Sequence, residues 1–211
     1  MMVTAVLDAN ILYAVSTADP LVYAAEYHAC TLVWSERIAG EYTRSLVRDG
    51  FPPTAVARRR AAMEQALPEA CLPDATVAPH LPAAAVIIRR ARHHDADDAH
   101  VVAAAIASRA TVIVTRNRRD FPASFIHAGV TTTVLDPDAF LDLVLDQRPD
   151  AVVHGIHRYH DDLTRQPRTY PEMIALMRER GGYRTAADRL AALLMPPPSG
   201  PAPRRPRKTG E

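Results

Sequence analysis

The stretch DADDAHVVAAAIASRATVIVTRNRRDF, residues 95–121, sets Asp95, Asp97 and Asp98 ahead of an alanine-rich apolar run. That run passes into the β-branched segment TVIVT and then an arginine-rich turn. Asp8 closes the apolar run VTAVLD near the start of the chain, with Asn10 two residues on. Glu41 lies in ERIAGEYTRSLV, beside the apolar stripe of Ile38, Tyr42 and Leu46. Ionised carboxylates gathered on one side of a protein repel, by on the order of 4 kcal/mol for two charges about 4 Å apart at an effective dielectric near 20. Protonation, nearby arginines or a hard divalent cation relieves that repulsion. Oxygen donors with few histidines suit Mg2+ or Mn2+ better than zinc. Such a cation clamps phosphoryl oxygens and activates water for in-line attack. Arg116, Arg118 and Arg119 of TRNRRDF lie close by in sequence, and guanidinium is a good bidentate phosphate donor.

Each of these residues also has a plainer reading. Asp98 can be the N-cap of the helix that follows, with Asp95 and Asp97 favourable to its dipole. Glu41 can be a solvated helix residue. Asp8 differs, because a charged residue ending a buried strand is uncommon without a partner. The elements decide whether these groups meet.

Four short apolar runs read as strands: VTAVLDA (3–9), TLVWS (31–35), TVIVT (111–115) and TTTVLD (131–136). Between them PLVYAAEYHA (20–29), ERIAGEYTRSLV with Ser35 as N-cap, PTAVARRRAAMEQAL (53–67) and DAHVVAAAIASR (98–109) read as helices. PDATVAPHLP reads as loop, and LPAAAVIIRRARHH (81–94) stays open between helix and strand plus loop. This alternation predicts an α/β fold of βαβ units on a mainly parallel sheet. In such a sheet, ligands bind beyond the carboxyl ends of the strands. Asp8 follows one strand. Thr115, Asn117 and Asp120 follow another, and the loop before the helix at Asp98 opens on the same edge. After Arg148 strand signals stop and helical patterns take over, so the chain divides into an α/β domain over 1–147, a helical C-terminal extension over 148–195 and a disordered Pro/Arg-rich tail over 196–211.

Composition excludes several alternatives. Nearly half the residues are hydrophobic and the formal net charge is +1, so a sizeable core is available and bulk charge does not announce a nucleic-acid binder. Arginines cluster at 58–60, 89–92 and 116–119. The only lysine, Lys208, lies in the tail, which argues against a phosphoacceptor receiver domain, a fold that needs a lysine at its active edge. Cys30 and Cys71 have no metal-ligand or disulfide spacing, and no leader or membrane-spanning run is evident, so the expected compartment is cytoplasmic. His93, His94 and His100 lack the cysteine or second histidine pair that a zinc site would need, and His154, His157 and His160 read as one solvated helix face. No nucleophile elbow, dinucleotide turn or phosphate loop is present.

Together, VLDANILY, SERIAGEY, DADDAHVVAAAIA, VIVTRNRRDFP and TTTVLDPDAFL, in this order, resemble the PIN-domain family, and most of all the bacterial VapC-type toxin ribonucleases. The helical stretch after residue 148 resembles an extension found in one subgroup of them. The resemblance implies a three-layer α/β/α fold with a four- or five-stranded mainly parallel sheet. It implies a Mg2+- or Mn2+-dependent endoribonuclease with Asp8, Glu41 and Asp98 as catalytic metal ligands. Asn117 stands where the family has its fourth acid, so Asn117 is the fourth catalytic position and Asp120 a substitute ligand. Asn10, Asp95, Asp97 and Thr115 then support the ligands, and Arg116, Arg118 and Arg119 contact RNA. The implied partners are the RNA substrate, an adjacently encoded antitoxin that covers the acidic edge, and a second copy of the chain in a homodimer. A PIN fold kept as a binding or scaffolding module and a DNA- or structure-specific nuclease are the alternatives.

Overall fold

The computed structural model describes residues 2–93, 95–163 and 168–194. His94 and the tail expected over 196–211 lie outside the described residues. In chain order the elements are β1 (Thr4–Leu7), α1 (Ala9–Tyr13), α2 (Val15–Glu26), β2 (Thr31–Ser35), α3 (Glu36–Arg48), α4 (Pro53–Ala66), β3 (Cys71–Leu72), α5 (Asp74–Val77), α6 (Leu81–Ile88) and α7 (Ala99–Ala107). There follow β4 (Val112–Val114), β5 (Ser124–His127), β6 (Val130–Leu135), α8 (Pro137–Gln147), α9 (Pro149–Asp162), α10 (Tyr170–Leu176) and α11 (Thr185–Leu194).

The sheet order is β3-β2-β1-β4-β6-β5, with every pairing parallel except β5 with β6. At its centre Ala5, Val6, Leu7, Val112, Ile113 and Val114 are all buried. Successive strand residues point to opposite faces, so unbroken burial requires helices on both sides. Toward the β5 edge the burial of β6 alternates, as expected of a strand covered on one face only. Parallel pairing brings the carboxyl ends of β1, β2, β4 and β6 to one edge. Ser35 begins α3 there, its hydroxyl accepting from Ile38 N–H at 3.2 Å, and Asp136 begins α8 by accepting from Ala139 N–H at 2.9 Å.

Six strands replace the expected four or five. Two-residue β3 is too short to leave a pattern. β5 is an antiparallel addition closed on β6 by Ala128 and Gly129, whose φ values of 46° and 77° make the two-residue turn that suits a hairpin. The segment read as loop at PDATVAPHLP instead winds into α5 and a 3₁₀ turn over Ala78–His80, and the open segment 81–94 begins as helix α6. Helix α2 begins at Val15 rather than Pro20, because burial of Thr17 and Ala18 outweighs an internal proline.

The helices after Arg148 share the core of the sheet: Val152, Ile156, Met173, Ile174, Met177, Tyr183, Ala186 and Leu190 belong to the same buried cluster as β1 and β4. Two glycines let them approach α2. A Cβ on Gly155 would stand 2.6 Å from the Tyr23 carbonyl oxygen, and one on Gly181 would stand 2.6 Å from the Ser16 carbonyl oxygen. Pro20 has no N–H to offer that Ser16 carbonyl, which stays open toward the incoming turn. The Tyr183 hydroxyl then donates to the Thr17 carbonyl at 2.5 Å. Gly155→Ala is therefore expected to lower unfolding free energy by about 1–3 kcal/mol, since backbone and not a flexible side chain blocks the added methyl. Urea denaturation measures this, and a change within about 0.5 kcal/mol would contradict the close packing of α9 on α2.

Candidate active site

Asp8 leaves the end of β1 with its backbone N–H still in the ladder, donating to Val114 carbonyl at 3.1 Å, and its side chain is buried. Asp8 Oδ1 accepts from Ala9 N–H at 2.6 Å, and Oδ2 accepts from Asn10 Nδ2 at 2.6 Å and from Thr115 Oγ1 at 2.7 Å. Burial pushes the Asp8 carboxyl above the usual carboxylate range, and the Thr115 and Ala9 hydrogen bonds pull against it. Asn10 Nδ2 also donates to Thr115 Oγ1 at 3.0 Å, and its Oδ1 accepts from Arg116 N–H at 3.0 Å. Asn10 and Thr115 thus lock the ends of β1 and β4 together around one carboxylate.

Asp8, Asn10, Glu41, Asp98 and Asn117 line one concavity of about 460 Å3, with Tyr13 on its rim. Asp98 is half-buried, and among the described residues no hydrogen bond reaches its carboxylate. Asp95 caps the 3₁₀ turn Ala96–Asp98, accepting from Asp97 N–H at 2.9 Å, while Asp98 occupies the N-cap position of α7 but makes no side-chain capping bond. Burial, then the charges of Asp8, Asp95 and Asp120, push the Asp98 carboxyl up to about 6. Asp120 therefore reaches the site through its charge, although it does not line the concavity. Asn117 sits at the start of the 3₁₀ turn Arg118–Asp120, its N–H donating to Thr115 Oγ1 at 3.0 Å.

Two residues at the site were not expected. Arg37 lies 3.3 Å from Glu41 Oε1 and 3.9 Å from Asp97 Oδ1. His100 is buried; its Nδ1 lies 2.5 Å from the Asp97 carbonyl, so that nitrogen carries the proton, and its Nε2 faces Glu41 Oε2 at 3.2 Å, out of line for a hydrogen bond. Burial alone would raise the Glu41 carboxyl, but His100 and Arg37 hold it below its usual value. The Arg37–Glu41 spacing of four was a signal available in the sequence. The His100–Glu41 contact joins α7 to α3 and left none.

Arg116 is placed differently from its neighbours. Its Nη2 donates to Thr17 Oγ1 at 2.5 Å and to the Gly181 carbonyl at 3.0 Å, so the guanidinium reaches back to the C-terminal helices. Arg118 pairs with Asp136 at 3.3 Å, and Arg119 is exposed.

Asp8 and Asp98 supply the hard oxygen donors that Mg2+ or Mn2+ prefers, and Mg2+ commonly binds through one or two carboxylates while keeping several waters. Among the described residues no three His, Cys, Asp or Glu side chains close into a cage, and Glu41 pairs with Arg37 and faces His100. The donor chemistry fits such an ion with two protein carboxylates and water.

Residues 4–119, more than half of the chain, match the family model of the PIN domain. No curated protein and no solved structure matches the chain. Among the described residues no helix is long and apolar enough to cross a membrane.

With no cation to offset it, the crowding around Asp98 opposes folding. Its carboxyl titrates higher in the folded chain (about 6) than its ordinary 3.8, so this cost grows from pH 4 to 6 and is full above. Asp98→Asn in EDTA is accordingly expected to stabilise the protein by about 1 kcal/mol at pH 7.5, with the gain fading toward pH 4. Thermal melts at both pH values test this, and a loss of stability at pH 7.5 would contradict it.

Proposed function

The chain belongs to the PIN-domain family, and on that premise we propose that it is a Mg2+- or Mn2+-dependent endoribonuclease of the VapC toxin type, hydrolysing RNA phosphodiester bonds. The observation that carries this reading is the meeting of Asp8 and Asp98 in one concavity, the first fixed by three hydrogen bonds and the second by none. Asp8 and Asp98 would hold the cation, with Glu41 as the further carboxylate of the concavity and Asp120 adding its charge to the edge. A bound cation of this kind polarises a phosphoryl oxygen and lowers the pKa of its water. Asn10 and Thr115 orient Asp8. Asn117, exposed on the rim, offers an amide to the attacking water or to the substrate. Asp95 and Asp97 keep the edge acidic, and the Asp97 carbonyl orients His100. Arg118 and Arg119 stand one and two residues beyond Asn117, where a phosphate backbone leaving the concavity would pass.

A ribonuclease of this type needs restraint in its own cell. The reading therefore includes a cytoplasmic location, a cognate antitoxin encoded next to it that covers the acidic edge, and pairing of two copies of the chain. Asn117, in the position of the family's fourth acid, favours a second reading in which the fold binds nucleic acid without cutting it.

Cleavage of a panel of RNA and single-stranded DNA by wild type, Asp8→Asn and Asp98→Asn, in Mg2+, Mn2+ and EDTA, separates these. The expected outcome is metal-dependent cleavage confined to RNA and reduced by about 100-fold or more in both variants. RNA cut equally by all three proteins would end the proposal, and binding without cleavage by wild type would leave the second reading.

A further inference from the structure

The loop after α6 and the turn after β4 are separate in sequence but joined in space, His93 N–H donating to the Arg119 carbonyl at 3.2 Å. Between them runs a groove of about 530 Å3 whose rim carries Arg90, Arg92, Arg118 and Arg119 and whose floor includes Phe121 and Val134. All four arginines are exposed, and the two floor residues are buried. Only Arg118 has a carboxylate partner, Asp136 at 3.3 Å; among the described residues no acid pairs with Arg90, Arg92 or Arg119. Other arginines do have acid partners, Arg60 with Glu64, Arg158 with Asp162, and Arg189 with Asp142 and Asp146. Four guanidinium groups around one concavity with a single counter-charge make a site for an anion of more than one charge. Planar guanidinium forks match phosphate oxygens in pairs.

One wall of this groove adjoins the acidic concavity. On that wall Arg118 directly follows Asn117, and on the other Arg92 precedes Asp98 by six residues. A phosphate chain held by Arg118 is therefore one residue from the concavity that Asn117 and the carboxylates line. We infer that the Arg90–Arg92–Arg118–Arg119 groove is the subsite for the phosphodiester backbone of single-stranded RNA flanking the bond to be cut. The apolar floor takes a ribose or base face. This inference rests on the nuclease reading, and it extends the RNA contact to Arg90 and Arg92, which no motif singles out.

The test is fluorescence anisotropy with a labelled single-stranded RNA oligonucleotide and the full chain in EDTA, from 50 to 200 mM salt. Wild type is compared with Arg90→Gln/Arg92→Gln and with a control pair on other surfaces, Arg58→Gln/Arg109→Gln. Removing one phosphate-binding arginine lowers the salt slope by about 0.7 for a single strand. The groove variant should therefore lose about 1.4 from that slope and bind about tenfold more weakly at 0.1 M salt, while the control keeps the wild-type slope. A groove variant with the slope and affinity of wild type would overturn the subsite while leaving metal-dependent RNA cleavage by wild type untouched. No RNA binding by wild type, with duplex DNA bound instead, would overturn the RNA reading itself. RNA binding unchanged with loss of binding to polyglutamate would assign the groove to an acidic protein and likewise overturn the subsite.

Discussion

One buried carboxylate organises the functional edge. Asp8 ends the central strand, and it is held there by a main-chain N–H, by Asn10 and by Thr115, which itself ends the neighbouring strand. A charge taken out of water in this way is tolerated only with such partners. The same bonds that satisfy it also fix its orientation and clamp β1 to β4. What lies beyond those strand ends is placed relative to Asp8: Asn117 through its N–H to Thr115, Arg116 through its N–H to Asn10, and Asp98 across the concavity. Asp98 presses on this arrangement without a donor of its own. The edge therefore combines a satisfied carboxylate with an unsatisfied one, at a cost in stability that a cation offsets.

The C-terminal helices belong to the same mechanical unit. Gly181 comes against the Ser16 carbonyl that Pro20 leaves open, and Arg116 reaches from the end of β4 to the Gly181 carbonyl and the Thr17 hydroxyl. The turn over Met177–Gly181 is a π-helical one, which presents its carbonyls to that guanidinium. Through Arg116 and Asn10 the packing of these helices on α2 is continuous with the orientation of Asp8.

Much of the edge was legible in the chain itself, and for a definite reason. Short apolar runs alternating with helices dictate a parallel sheet, and a parallel sheet collects the residues that follow its strands on one side. Asp8, Asn10, Glu41, Asp98 and Asn117 meet because of that rule. Contacts between segments with no shared periodicity escaped it. His100 facing Glu41, Arg116 reaching to Thr17 and Gly181, and Arg90 and Arg92 set opposite Arg118 all depend on how separate loops pack. Local pattern also left the roles of three aspartates unsorted: Asp95 caps the 3₁₀ turn ahead of α7, and Asp98, at the N-cap position of that helix, lines the concavity in place of making a capping bond. Strand β5 escaped for another reason, since its register comes from a two-residue turn at Ala128 and Gly129 and not from a hydrophobic run of its own.

The central claim is that Asp8 and Asp98 form a cation site, and calorimetric titration of Mn2+ into the full chain tests it most directly. Wild type is predicted to release or take up heat saturably, and Asp8→Asn, with its fold verified by circular dichroism, to give none. Equal binding by both proteins, or no binding by wild type, would contradict the account.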